Sequence, residues 1–363
     1  MNPDQKNKFN YQWKLSNGYP APGIENHKKK VFSFFACGGG STMGYKLAGY
    51  DVIGMNEIDP KMAECYIKNH NPKYSFVEPI QEFKNRKDLP KELYELDILD
   101  GSPPCSSFSI AGNRNKDWGK KKKFREGQAE QVLDTLFFDF IDVAEKLKPK
   151  VVIAENVKGL ILGEAKAYVN KIYNSFDKAG YYVSHILLNA STMGVPQKRE
   201  RVFFYAIRKD LLKYIETADL FGNEPELILD FKYKKIIYEN FKSIHHDKKV
   251  TSQYEIKCVK KCTASGVPQT NKPCLNGKIG AIGFGNVLIN KNVPNTMTTG
   301  YVINKEKMCY ATNEELCYIG SFPQDYNFNK NKPGYLIGMS VPPVMMAQIS
   351  YEIYKQWLSR IKT

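Results

Sequence analysis

The chain contains no run of about 18 or more apolar residues, the length that a membrane-spanning helix requires. Its polar beginning lacks the apolar stretch needed for export. It is therefore expected to be neither membrane-spanning nor secreted, and to work in the cytoplasm. Close cysteine pairs are missing too. Cys37, Cys65, Cys105, Cys258, Cys262, Cys274, Cys309 and Cys317 are scattered along 363 residues, which suits reduced thiols and excludes a disulfide framework. Cys258, Cys262 and Cys274, with His245 and His246 upstream, are too loosely spaced for a zinc site. Histidine is scarce, with five in the chain, and none stands near a usable nucleophile motif, which argues against a thiol-dependent hydrolase. No internal repeat is visible. Acidic charge falls short: 53 Lys and Arg stand against 38 Asp and Glu, for a formal charge of +15. Such an excess favours a polyanionic partner, usually nucleic acid, although a solvated lysine-rich surface has the same composition.

What is present is an alternating pattern long enough for a large core and two lobes. Residues 1–29 carry no periodicity and read as an arm. Val31 to Phe35 form a compact apolar run that enters Ala36-Cys37-Gly38-Gly39-Gly40-Ser41 and then a helix. A strand, a glycine turn and a helix make the first unit of a nucleotide-binding α/β fold, because glycine lets backbone approach a ligand at the helix N-terminus. A second strand, Asp51 to Glu57, ends in a carboxylate, an acid placed to hydrogen-bond ribose hydroxyls. Pro60 to Ile67 reads as a helix and Tyr74 to Val77 as a third strand.

The apolar run Leu96 to Leu99 delivers Gly101-Ser102-Pro103-Pro104-Cys105. The prolines stop strand or helix from continuing and present Cys105 on a stiff loop past a strand's carboxyl end, where chemistry collects in open α/β sheets. A buried structural cysteine is the commoner alternative. Lys116 to Arg125, with four lysines at 120–123, is either a solvated loop or a phosphate grip. Apolar residues from Val132 to Leu147 recur at helical spacing. Val151 to Ala154 is a further buried strand ending at Glu155-Asn156. Cys105 and Glu155 thus stand at the carboxyl ends of different strands and would open into one cleft, a nucleophile with a proton-handling partner. Tyr168 to Ala179 reads as a helix, followed by a strand pair at 181–188 and 201–207. In Gln197-Lys198-Arg199-Glu200-Arg201, residues two apart share a face of extended chain, so Arg199 and Arg201 could converge on an anion or a base carbonyl. Periodicity weakens after Arg208, and Met345 to Ile361 step by four as a terminal amphipathic helix.

Taken together these stretches resemble the cytosine-C5 DNA methyltransferase family of bacterial or phage type. Ser102 to Ser109 is similar to its nucleophile loop, Glu155-Asn156-Val157 to its catalytic-glutamate motif, and Gln197 to Arg201 to its Q-x-R-x-R motif. Gly338-Met339-Ser340-Val341-Pro342-Pro343 is similar to its C-terminal cofactor segment. The resemblance implies a Rossmann-like α/β methyltransferase: an arm at 1–29, a catalytic and cofactor domain at 30–208, a target-recognition domain at 209–295 and a returning segment at 296–363. It implies S-adenosyl-L-methionine as cofactor, held by Phe35, Gly39, Gly40, Glu57, Ile58, Glu78, Pro104, Leu136, Ser340 and Val341. Cys105 would add to C6 of a flipped cytosine, Glu155 would bind the N3 and amino edge, and Arg199 and Arg201 would hold O2. No metal is implied. The expected partner is duplex DNA, met by a monomer with no membrane association, and a cognate restriction endonuclease is compatible with the family.

This sequence departs from the family pattern. Cys37 replaces a glycine of the turn, Glu78-Pro79 an Asp-Ile pair, and Met339 an asparagine. Two alternatives stay open at this level: a transfer-RNA methyltransferase on the same scaffold, and a DNA-binding relative with a decayed cofactor site.

Overall fold

The computed structural model describes residues 7–104, 121–122, 131–132, 135–162, 165–217, 224–260, 262, 286–298 and 300–361. Cys105, the ends of the lysine run at 120 and 123, and Cys274 lie outside them. The chain divides into two compact units. One comprises Pro20–Leu188, Glu200–Asp230 and Ile349–Thr363, the other Met1–Tyr19, Asn189–Arg199 and Phe231–Gln348.

The first unit is a Rossmann-like α/β body. Its seven-stranded sheet contains β1 (Lys30–Phe34), β2 (Asp51–Asn56), β3 (Tyr74–Phe76), β4 (Ile98–Gly101), β5 (Val151–Val157), β6 (Tyr181–Asn189) and β7 (Glu200–Arg208), in the order β3-β2-β1-β4-β5-β7-β6. The pairs β2–β3, β1–β2, β1–β4 and β4–β5 are parallel, and β7 runs antiparallel to β5. Order reverses between β1 and β4, the switch point beside which α/β sheets form their ligand crevice. Val31–Phe34, all of β4 and Val151–Asn156 are buried, as strands covered on both faces should be. Phe34, Phe83, Phe137 and Phe140 belong to the large apolar core around this sheet.

Helices α1 (Gly40–Leu47), α2 (Pro60–His70), α3 (Ile80–Asn85), α4 (Leu136–Leu147) and α5 (Lys166–Lys178) link the strands. α2 starts where it does because Asp59 caps it, accepting from Lys61 N at 2.9 Å, with Pro60 at its first position. α4 begins at Leu136 rather than Val132, since residues 131–132 pair as strand with 121–122. Gly101, the last residue of β4, has no room for a side chain: a Cβ there would lie 2.6 Å from Cε2 of Phe140.

The second unit carries a three-stranded sheet of β8 (Asn286–Leu288), β9 (Val302–Asn304) and β10 (Cys309–Tyr310), with α6 (Gln253–Lys260), α7 (Asn313–Gly320) and α8 (Pro333–Met339). Its α7 is fixed by a capping box in which Thr312 Oγ1 accepts from Glu315 N and Glu315 accepts from Thr312 N. The same buried carboxylate accepts from the Tyr238 hydroxyl and Ser243 N. Residues 7–19, which read as an aperiodic arm, are anchored. Phe9 and Trp13 are buried, and Trp13 Nε1 donates to the Ser321 carbonyl at 2.9 Å. The C-terminal helix, α9 (Pro343–Ile353), passes into a π turn at Tyr354–Leu358, where Trp357 Nε1 donates to the Glu226 carbonyl at 2.6 Å. No helix of the described residues is long and apolar enough to cross a membrane.

Replacing Gly101 by alanine should lower stability by about 1–3 kcal/mol through overpacking against Phe140. Urea unfolding measures this, and Phe140→Leu in the same chain should restore part of the loss.

Candidate active site

The crevice side of the sheet is shaped first by the turn after β1. Phe35 has φ 53° and Cys37 φ 48°, so bulky residues occupy the left-handed region that favours glycine. The turn is braced rather than relaxed. Glu57 Oε2 accepts from Cys37 N at 2.8 Å, and its Oε1 accepts from Asp59 N at 2.9 Å. Burial pushes the Glu57 carboxyl up, opposed by these backbone donors. A carboxylate offers about four acceptor positions, so Glu57 keeps capacity for a further donor. Gly39 is obligatory, because φ is 77° and a Cβ would fall 2.2 Å from His70 Nε2. His70 is buried, and burial lowers its pKa to about 3, so it stays neutral. Its Nε2 lies 3.3 Å from the Gly38 carbonyl, which assigns the proton to that nitrogen.

Gly40 opens α1, and Ile58 is half-buried beside Glu57. Glu78 follows β3. Its Oε2 accepts from Arg86 Nη1 at 2.8 Å, while its buried Oε1 has no hydrogen-bond partner among the described residues. Leu136 is fully buried in the core at the start of α4.

The loop stem leaves β4 through Ser102, Pro103 and half-buried Pro104, the last described residue before Cys105. Asn156 Nδ2 donates to the Pro103 carbonyl at 3.1 Å. The stem is thereby tied to the residue next to Glu155, a contact that the sequence reading did not assign. Glu155 lies within β5 rather than at its end, paired with Phe203 of β7. Its Oε1 is 2.9 Å from Arg201 Nε, yet the pair is not aligned as a hydrogen bond, and that oxygen has no other partner among the described residues. Asp100 of β4 is buried behind this edge, taking the Ser33 and Tyr45 hydroxyls at 2.8 and 3.2 Å. The sequence reading did not single it out.

Arg201 pairs with Glu155, whereas Arg199, which precedes β7, donates from Nη1 to the Gly338 carbonyl at 2.9 Å in the second unit. That bond fixes the end of α8, after which Ser340 and Val341 are buried and Ser340 Oγ donates to the Leu336 carbonyl at 2.9 Å. Met339 is exposed at 38%.

The sequence profile of the C-5 cytosine-specific DNA methylase family matches residues 29–355. The chain belongs to this family. Among curated members it is similar to the Type II methyltransferase M.FnuDI of Fusobacterium nucleatum, at 37% identity over 185 residues, 50% of this chain and 48% of the relative. It is also similar to M.Sau96I of Staphylococcus aureus, at 36% identity over 206 residues, 56% of this chain and 44% of the relative. The orphan methyltransferase M.SPRI of Bacillus phage SPR is 35% identical over 193 residues, 52% of this chain and 37% of its own length. The chain therefore spans about half the length of these relatives, or less. Among solved structures, a mutant of Spodoptera frugiperda DNMT2 shares the fold with a TM-score of 0.63 at 17% identity, covering 90% of this chain and 99% of that one. Dnmt2 methyltransferase of S. pombe does so with a TM-score of 0.57 at 16% identity, covering 90% and 99%.

Asn156→Ala should leave the Pro103 carbonyl buried without a donor, at a cost of about 1–3 kcal/mol. Denaturant unfolding measures the loss, and Asn156→Gln, which retains an amide, should lose less.

Proposed function

We propose that this family member is a DNA (cytosine-5-)-methyltransferase, which transfers a methyl group from S-adenosyl-L-methionine to C5 of a cytosine flipped out of duplex DNA. The observation that carries the reading is the Asn156–Pro103 hydrogen bond. It ties the last described residues before Cys105 to the strand position beside Glu155, which supports the reading that a nucleophile and a proton-handling carboxylate serve one base.

The residues present fit the cofactor. Glu57 retains acceptor capacity, and Glu78 Oε1 is a buried acceptor with no partner among the described residues. Phe35, Gly39 and Gly40 would line its methionine side, Glu57 and Ile58 its ribose and Glu78 its adenine amino group. Pro104, Leu136, Ser340 and Val341 complete the set by family resemblance. When bound, S-adenosyl-L-methionine supplies an electrophilic methyl group on a sulfonium.

Cytosine C5 is a poor nucleophile until a group adds at C6. The Cys105 thiolate would form that bond and push the ring electrons toward C5. Glu155 would hold the N3 and amino edge and place a proton or hydrogen bond on N3, making addition favourable. Arg201 orients Glu155 through their ion pair, and with Arg199 would hold O2. After C5 has gained its methyl, loss of the C5 proton and departure of Cys105 restore the aromatic ring. The base must leave the stack to meet these groups. The chain's positive charge suits either polyanion, and the length of its recognition region, residues 209–295, favours duplex DNA over transfer RNA. The enzyme would act as a cytoplasmic monomer.

Labelled-methyl transfer to duplex DNA and to transfer RNA, with bisulfite sequencing of DNA from expressing cells, tests the reading. Methylcytosine at one DNA sequence is expected. Cys105→Ala should lower transfer by more than ~10³-fold, while stabilisation by S-adenosyl-L-methionine persists. Transfer to RNA alone, or undiminished turnover in that variant, would overturn it.

A further inference from the structure

The second unit holds a cavity that the chemistry described so far does not use. It has a volume of about 390 Å³ and its lining includes Lys248, Tyr301, Tyr310, Leu316, Lys332 and Tyr335. Tyr310, Leu316 and Tyr335 are half-buried, whereas Lys248, Lys332 and Tyr301 are exposed, Tyr301 by 58%. The Tyr301 and Tyr310 rings lie 5.3 Å apart between centroids, inclined at 52°. Lys248 Nζ stands 5.1 Å from the centroid of the Tyr310 ring. The Tyr310 hydroxyl donates to Glu255 Oε2 of α6 at 2.6 Å, which fixes that ring from its outer end.

This lining selects its ligand. Aromatic faces at a surface stack nucleobases of any kind, and lysines beside them neutralise phosphate. A cationic guest, which aromatic cages otherwise take, is repelled by Lys248 and Lys332, and no carboxylate lines the cavity among the described residues. The volume falls in the range of pockets that hold a small organic group. A base with its phosphate matches both the rings and the two ammonium groups.

The cavity's place in the fold says which nucleotide. α8 carries Tyr335 and, one turn on, Gly338, whose carbonyl accepts from Arg199. At about 1.5 Å of rise per residue, the two lie on the order of 5 Å apart along the helix. The segment before Tyr301 meets the same point, since a Cβ on Gly338 would lie 3.0 Å from the Thr298 carbonyl oxygen. Both walls therefore lead to the arginine that is proposed above to hold the flipped cytosine. Successive nucleotides of a strand rise about 3.4 Å, which puts the cavity roughly one to three nucleotides from that base. A cytosine that leaves the stack takes one stacking neighbour from the nucleotide beside it, which lowers the cost of drawing that one out too. We infer that the cavity receives a nucleotide flanking the flipped cytosine on the same DNA strand, its base against Tyr301 and Tyr335 and its phosphate on Lys248 and Lys332. This deepens the function proposed above and rests on it.

Fluorescence anisotropy of the full chain tests the inference, with a duplex carrying the sequence that bisulfite mapping identifies and with a random-sequence duplex. Tyr301→Ala should weaken binding to the first duplex about five- to a hundredfold. Tyr301→Phe should keep most of the affinity, and S-adenosyl-L-methionine should stabilise both variants as it does the wild type. Lys332→Gln should lower the slope of log affinity against log salt by about 0.9. An abasic nucleotide at one position near the target cytosine should weaken the wild type as much as Tyr301→Ala does, and should weaken that variant no further. Losses that add at every position tried, or wild-type affinity in Tyr301→Ala, would overturn the inference and leave the proposed function standing. If Tyr301→Ala does not fold, the Lys332→Gln slope decides, and an unchanged slope refutes the site. A wild type that methylates no DNA, with a salt slope on the random-sequence duplex that falls in Lys332→Gln, would refute the proposed function and leave the cavity a DNA site.

Discussion

Everything at the crevice depends on where β4 sits. It is paired in parallel with β1 on one side and β5 on the other, in a register that aligns Phe34, Gly101 and Ala154. β1 and β4 therefore end together, level with Ala154 of β5, so the glycine turn and the Pro-Pro stem leave the sheet beside Glu155, while β5 runs on to Val157. A slip of one residue would reverse every side chain of a strand. Asp100 would leave the hydroxyls of Ser33 and Tyr45, and the edge would lose its ordered set of polar groups. Burial of these strands on both faces is what holds the register.

The same edge carries the fold's local costs. Phe35 and Cys37 occupy left-handed backbone, worth roughly 1–2 kcal/mol each for a residue with a side chain, and such strain persists only where neighbours over-determine it. Here Glu57 does so through Cys37 N, and neutral His70 does so beneath Gly38. Glu57, Asp100 and Glu155 add three buried carboxyls, of which Glu155 alone has a cation at hand in Arg201. Strained backbone and buried carboxyls also occur elsewhere, at Lys148 and Ser321 and at Glu315, but their meeting at one strand edge is what a functional site requires.

The strands and most helices were legible because buried parallel strands are short continuous apolar runs, and Val31 to Phe34 and Val151 to Ala154 are plain examples. Glycines in the turn, prolines before Cys105 and Glu155 after an apolar run were likewise local signals. What stayed hidden depends on distant partners. Trp13 meets a carbonyl 308 residues away, and Asn156 meets one 53 residues away. Neither pairing leaves a trace in spacing. Asp100 gives no signal in the sequence until Ser33 and Tyr45 are seen around it. Arg199 and Arg201 obey the two-residue alternation only inside a strand, and β7 starts at Glu200, which frees Arg199 for Gly338.

The account stands or falls on Cys105 and Glu155 acting on one cytosine. Duplex DNA carrying 5-fluorocytosine at the recognised position tests this most directly, because fluorine at C5 cannot depart as a proton and the C6 bond is retained. With S-adenosyl-L-methionine present, the account predicts a stable protein–DNA adduct whose peptide map places the linkage on Cys105, and markedly slower trapping in Glu155→Gln. A linkage at another cysteine, or trapping unaffected by loss of the Glu155 carboxyl, would contradict it.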